Sequence, residues 1–559
     1  MSAVSTPTQE PRPRTRSLTW PQTRSLLVAA VAGLTLLGLA IRLANFDQSL
    51  IGDELSTYWI LHGHSLGEVL SSVRSNDEIT PPLYFVFGWL SMKIGPNPEW
   101  IRLPSLLAGT ATIPLVYVLG SRTVSRSAGL VGAAVMALSP FMIYYSTEAR
   151  SYALMIALLV GSTLALLAAV ETRRTRWWAV YAVCSCAALY SHYTSVFPLA
   201  AQAIWVLWAH REAIRPLLLA NLGMLIGFAP WIPGFIADNN SPTTAILSAL
   251  QPFTIEAIRG ALENWAIGYP YVRPESVPGD LARVLLAAGL LIAAGAGAIR
   301  AVQWLRRSRL GFVATLRRVP PRLLLVALLA LATPLGEALY SAFGTNLLGA
   351  RNLNASWPGL AVAIGAVVTA AGPLLSVACT ALVLSGFTIG AAKTLNADFA
   401  RIDYRAAADT IEERWAPGDP VADASGLTPV PLTGLDVYLP QTHPEFRLGL
   451  PLSRHPFMLG DPVPSPNRLI AEVFAREAAE RGSIFLVTPL PSGDLASPVH
   501  QVAELRREKE SLGGMLLRRA RPRFEVTYHR TLPGLSPIAV FELEDSRPPA
   551  APSERGPRG

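Results

Sequence analysis

Charge is scarce in this chain. Only 15% of its 559 residues are Asp, Glu, Lys or Arg, and 51% are hydrophobic; a soluble protein averages about 25% charged. The deficit is uneven. Apolar runs fill residues 25–394, and residues 395–559 read as ordinary soluble sequence. That distribution excludes a wholly soluble protein and implies a multi-pass membrane protein with a C-terminal soluble domain. Cysteine is scarce too. Cys184, Cys186 and Cys379 all lie inside apolar runs, and no histidine stands near enough to complete a thiolate metal site, so they read as free buried thiols. The sequence lacks a nucleotide-binding loop, its C-terminal part shows no Ser/His/Asp triad, and no internal repeat of the kind many transporters carry is found. No small-residue cleavage site follows the first apolar run, which is long enough to span and reads as a signal anchor. The net charge of +8 is no nucleic-acid footprint, because the arginines cluster between apolar runs, so no nucleic-acid partner is expected.

Those arginines set the topology. Arg12, Arg14, Arg16 and Arg24 precede the first run, Ser25–Ala44, and the positive-inside bias keeps them cytoplasmic. Pro82–Ile94 is apolar but shorter than the roughly 20 residues a crossing needs. If it lies in the interface, the basic loops Ser121–Arg126, Glu171–Arg176, His210–Arg215 and Arg306–Arg322 all fall inside; if it crosses, they do not. The first alternative predicts about eleven spans: 25–44, 102–120, 128–145, 150–170, 177–191, 194–209, 216–236, 281–304, 322–341, 352–371 and 374–394. The N-terminus is then cytoplasmic and the C-terminus extracytoplasmic, in the plasma membrane. The expected organisation is a disordered N-terminus (1–24), a transmembrane domain (25–395) whose first outer loop is 45–101, an extracytoplasmic α/β domain (396–545) and a disordered tail (546–559). Thr57–Val73 reads as a helix along the membrane surface. In the soluble part Val421–Ala424, Asp436–Leu439, Ile484–Thr488, Phe524–Tyr528 and Ile538–Leu543 read as strands, and Tyr404–Trp415, Leu469–Arg481 and Val502–Leu517 as helices.

This topology gathers ionisable groups at the outer span ends, where their default reading is functional. Asp53 and Glu54 follow the first span. Asp77 and Glu78 precede the interface helix. Glu148 and Arg150 sit among Tyr144, Tyr145 and Tyr152; His192 and Tyr193 join the fifth and sixth spans; Glu337 and Arg351 flank the last outer loop. Acids beside arginines suit a reaction in which a hydroxyl loses a proton and a phosphate leaves. Plainer readings stand beside this one: Asp53 and Glu54 as helix N-terminal acids, Asp77 and Glu78 as solvated loop charges, Glu148 and Arg150 as an interfacial ion pair, His192 and Glu337 as satisfied packed groups, Arg351 as a headgroup anchor. A divalent metal is left open, since acids plus a histidine can bind one, although no pair has close helical ligand spacing.

In order along the chain, Gly52-Asp53-Glu54, Pro81-Pro82-Leu83-Tyr84 with Trp100-Ile101-Arg102-Leu103-Pro104-Ser105, Tyr144-Tyr145-Ser146-Thr147-Glu148-Ala149-Arg150-Ser151-Tyr152, and Leu189–Thr194 together resemble the GT-C superfamily of membrane glycosyltransferases, in the family shared by protein O-mannosyltransferases and lipid A aminoarabinose transferases. The resemblance covers about residues 45–210. It implies sugar transfer, with inversion, from a polyprenyl-phosphate donor to an extracytoplasmic glycan, lipid or protein acceptor, without a nucleotide. Asp53 matches the family's first-loop acid, as general base or acceptor-orienting group, with Glu54 its usual neighbour. Where aminoarabinose transferases have Glu-Lys before the proline, Ile79-Thr80 stand here. That removes the lysine expected to meet the donor phosphate and leaves the part to Arg150 or Arg351, with Asp77 or Glu78 supplying the acid. A transporter or flippase for lipid-linked sugars, or a non-catalytic binder, is the competing class.

Overall fold

The computed structural model describes residues 20–75, 78–241, 253–268, 279–308, 319–344, 346, 348–425, 434–439, 445–447, 468, 470–475, 482–490, 498–508, 511–521 and 523–546. Eight helices among them are long and apolar enough to cross a membrane, or nine when Arg126–Leu138 and Pro140–Ser146, bent by 62°, count as one span. The protein is a multi-pass membrane protein. The two further spans expected, 177–191 and 194–209, are helices at those places but too short for an untilted crossing: Thr175–Ser191 has 17 residues, and Tyr193–Ala209 is likewise short. The expected disordered ends lie almost wholly outside the described residues.

Basic loops meet at one end of the bundle. Arg322 Nη2 pairs with Glu171 at 2.9 Å, Arg122 pairs with the same carboxylate, and Arg322 Nη1 donates to the Arg122 carbonyl at 3.0 Å. Glu171 ends the 21-residue helix Tyr152–Thr172 whose other end carries Glu148 and Arg150. At about 1.5 Å per residue the two groups are roughly 30 Å apart.

The segment after the first helix (Trp20–Ala44) departs from its expected form. Thr57–Val73 is not one surface helix but parts of two, Asp53–Leu61 and Leu66–Arg74. Gly63, at φ 76°, turns the chain, and a capping box between Ser65 and Glu68 starts the second helix. Nor does the first lie on a surface: Glu54, Leu55, Ser56, Thr57 and Tyr58 are buried. Within the expected interfacial stretch Pro82–Ile94 the helix is Leu83–Ser91.

The C-terminal part holds a five-stranded sheet of order β2-β1-β3-β5-β4: β1 Val421–Asp423, β2 Glu445–Arg447, β3 Ser483–Pro489, β4 Phe524–Leu532 and β5 Ile538–Asp545. β1 runs parallel to β2 and β3, and β5 antiparallel to β3 and β4. β3 and β5 are covered on both faces, which is why they read as near-continuous apolar runs. Helices Pro498–Arg507 and Leu512–Ala520 pack Leu505, Leu516 and Leu517 against Ile484, Leu486 and Phe541. Helix Tyr404–Glu412 packs Tyr404, Ala407 and Ile411 against Phe485, Val487 and Val540 on the other face. Three expectations change. Asp436–Leu439 is not a strand, since a short helix occupies Leu435–Tyr438. β2 stands where none was expected. The single helix expected over Val502–Leu517 is two, the second capped by Ser511. Of Leu469–Arg481, residues 470–475 are helical, and 469 and 476–481 lie outside the described residues.

Candidate active site

The acids are placed by a glycine. Gly52 turns the chain at φ 55°, ψ −129°, a conformation that residues with a Cβ avoid, and the next two residues start helix Asp53–Leu61. Adjacent on a helix, Asp53 and Glu54 point in directions about 100° apart and meet different surroundings.

Glu54 points inward and is fully buried. Arg102 grips it side-on, Nε to Oε1 at 2.7 Å and Nη2 to Oε2 at 2.6 Å. Arg401 Nη1 donates to Oε2 at 2.8 Å and the Ala149 N–H to Oε1 at 2.8 Å. Burial alone would raise its pKa, but Arg102 and Arg401 outweigh it and hold the carboxyl below its usual range. Arg102 also donates to the carbonyls of Phe46, Gln48 and Ser49. One carboxylate thus ties together the first outer segment, the start of helix Leu103–Thr123, the Thr147–Ser151 turn and the chain entering the C-terminal domain. With both oxygens engaged, Glu54 is placed as a strut, and the catalytic role expected of it has no open oxygen to use.

Asp53 points outward. Its side chain is 42% exposed and pairs with Arg351 Nη1 at 2.7 Å, itself 31% exposed. This is the ion pair of the cluster that solvent reaches. Behind it, Arg150 is held by Glu78 at 2.8 and 3.0 Å and by Thr80 Oγ1 at 2.9 Å, with both charges buried. The phosphate contact expected of Arg150 is therefore met internally, whereas Arg351 keeps an open face. Glu78 is a partner for Arg150, not a solvated loop charge. Asp77 lies outside the described residues.

Two groups here are shifted toward their neutral forms. Glu148 is buried, and its Oε2 has no hydrogen-bond partner among the described residues. Burial, then the charges of Asp53 and Glu54, push it up to about 8. His192 is pushed down to about 3 by burial, assisted by Arg150 and Arg351. Its Nδ1 lies 2.9 Å from Thr194 Oγ1, and its ring sits 5.2 Å from that of Tyr152. Tyr193 turns away: its hydroxyl donates to Asp238 and accepts from Trp231 Nε1 at 3.0 Å, so it is not brought to the Asp53–Arg351 pair. Glu337 is buried in helix Pro321–Phe343. Among the described residues no three His, Cys, Asp or Glu side chains stand together as a metal set, and Glu54 and Glu78 are occupied by guanidinium groups.

Several contributors escaped the sequence reading. Arg102 stood in a quoted motif, and an arginine directly before an apolar run was a usable signal. Arg401 gave none, lying 347 residues from Glu54. It also stacks over Tyr144, 4.7 Å from the ring centroid. Buried Glu99 pairs with Arg405 and accepts from the Tyr438 hydroxyl at 2.6 Å, and that hydroxyl accepts from Leu50 N–H at 2.8 Å. The C-terminal domain is thereby latched to the loop that carries Asp53.

The candidate site is thus a half-open carboxylate beside a half-open guanidinium, with Glu148 and His192 near them at the ends of apolar helices. Residues 80–235 match the family model described as dolichyl-phosphate-mannose-protein mannosyltransferase, in line with the resemblance read from the sequence. No curated protein matches the chain. Among solved structures it is similar to ArnT from Cupriavidus metallidurans bound to undecaprenyl phosphate (14% identity, 94% of this chain and 98% of that one, TM-score 0.46). It is also similar to the archaeal oligosaccharyltransferase AglB from Archaeoglobus fulgidus (12%, 84% and 70%, 0.42) and to the arabinofuranosyltransferase AftD from Mycobacteria (16%, 94% and 40%, 0.40).

Proposed function

We propose that this protein is an integral-membrane glycosyltransferase that moves a sugar from a polyprenyl-phosphate donor to a hydroxyl of a glycan, lipid or protein acceptor. The observation that carries the reading is the Asp53–Arg351 pair, at 2.7 Å with both side chains partly exposed, at the end of the bundle opposite the basic loops. The family domain at residues 80–235 supports it. The positive-inside bias puts this end, and the C-terminal domain, on the extracytoplasmic face of the plasma membrane.

The chemistry follows from the placement. The donor arrives by lateral diffusion, its phosphate confined to the depth of Arg351. Arg351 takes the phosphate as its negative charge grows on leaving. That draws the guanidinium from Asp53, whose carboxylate accepts the acceptor proton as the hydroxyl oxygen attacks the anomeric carbon. The new glycosidic bond forms on the face opposite the breaking carbon–oxygen bond, so configuration inverts. Glu148 holds its proton within the field of Asp53 and Glu54, and can donate a hydrogen bond where two carboxylates would repel. Arg150 adds positive potential while staying on Glu78.

The test is transfer by purified protein in lipid from a panel of radiolabelled polyprenyl-phosphate sugars, wild type against Asp53→Asn. We expect transfer from one donor, reduced at least about 100-fold in the variant with donor binding retained. Equal donor binding by both proteins with no transfer from any donor would replace this reading with a lipid-sugar binder or transporter.

A further inference from the structure

The site hangs from a broken helix. In a helix the carbonyl of residue i accepts from the N–H of residue i+4. For Met136 that residue is Pro140, which has no N–H and drives Ser139 into extended backbone at φ −63°, ψ 122°. For Ala137 it is Phe141, carried out of line by the 62° bend. Two carbonyls at the end of helix Arg126–Leu138 are left without helical donors.

Arg42 supplies them. It is fully buried near the end of the first helix. Its Nη2 donates to the Met136 carbonyl at 3.0 Å, and its Nη1 to those of Ala137 at 3.3 Å and Gly38 at 3.0 Å. Gly38 permits the approach: a Cβ there would stand 2.4 Å from Ile113 Cδ1 and 3.2 Å from Arg42 Nη1. Every hydrogen-bond partner of Arg42 among the described residues is a backbone carbonyl. A buried cation without a counter-charge is costly, and this one sits at the negative end of a helix dipole.

We infer that Arg42 is a positioning residue that holds the Leu138–Pro140 break in its bent form and so aims the Tyr144–Arg150 segment at Glu54. The next helix, Pro140–Ser146, delivers Tyr144 beneath Arg401 and the turn whose Ala149 N–H binds Glu54 at 2.8 Å. Without a donor on the two carbonyls they are left bare in the core, and because Pro140 bars a straight helix the bend can only loosen, which frees Ala149 and Glu148 from the hub.

The test is amide hydrogen exchange on the full-length protein in detergent or lipid. Exchange across 141–151 should speed up about 10- to 100-fold in Arg42→Met, with the far half of helix Tyr152–Thr172 unchanged. Arg42→Lys, whose single ammonium covers fewer acceptors, should fall between and keeps the test alive if Arg42→Met does not fold. The deciding variant is Arg42→Met with Pro140→Ala, which restores an N–H at position 140. We expect its thermal stability to recover while Ala149 stays fast-exchanging, because the helix is now free to run straight. Unchanged protection of 141–151 in Arg42→Met, or its return along with stability in the double variant, would overturn the proposal and make Arg42 a stabiliser only. The consequence for transfer, a loss of at least about tenfold in the double variant, rests on the glycosyltransferase reading; the exchange result does not.

Discussion

Glu148 sets up a pH dependence whose sign is fixed by its burial. The free side chain releases its proton near 4.5, whereas in the folded protein burial and the neighbouring Asp53 and Glu54 keep it until about 8. Between those values the native state holds a proton that the unfolded chain has lost, so stability falls as pH rises through the window. At about 1.36 kcal/mol per pH unit the penalty is bounded at roughly 5 kcal/mol above pH 8. Hydration of the turn on ionisation makes a value of about 2–3 kcal/mol the working expectation. Glu148→Gln keeps the shape and removes the proton. The assay is thermal unfolding of wild type and variant in one detergent at pH 5, 6, 7, 8 and 9, with infrared detection of the protonated carboxyl band. The two should nearly coincide at pH 5 and separate as pH rises, the variant more stable by pH 9, and the carboxyl band present at pH 7 in wild type should be absent from the variant. Parallel stability curves, or no protonated carboxyl at pH 7 attributable to Glu148, would refute the reasoning.

Glu54→Gln leaves Arg102 and Arg401 buried without their counter-charge, and should cost about 3–5 kcal/mol, read as a large drop in unfolding midpoint and loss of protection at Ala149. Arg351→Ala should behave oppositely. A partly exposed pair contributes only about 0–1 kcal/mol, so stability should barely move while the KM for a polyprenyl-phosphate donor rises at least about tenfold; an unchanged KM would remove Arg351 from the phosphate site. His192, already neutral above about pH 3, should give no inflection near 6.5 in the pH–rate profile. His192→Asn should therefore leave the shape of that profile between pH 5 and 8 unaltered.

What was legible in the sequence follows from one rule applied at two scales. Apolar runs bounded by basic loops marked the bundle, because a charge inside the bilayer costs more than any local preference. The same rule marked Asp53, Glu148 and Arg351, charges at span ends. The rule reports that a charge is present and not what it touches. Asp53 and Glu54 are adjacent and nearly identical in chemistry, yet a turn of about 100° around the helix leaves the first open to solvent and closes the second between two arginines. Arg401 and Arg405 come from beyond the last span, where soluble composition hides a charge's purpose, and only the latch onto Glu54 and Glu99 shows it. Strand Asp436–Leu439 failed for a related reason: its short run packs Leu435 and Leu439 with the docked domain and carries Tyr438 to Glu99, a tertiary demand that overrides local preference. The residues left to react are those unspent once the fold has paired the others, and pairing is the part that depends on the whole chain.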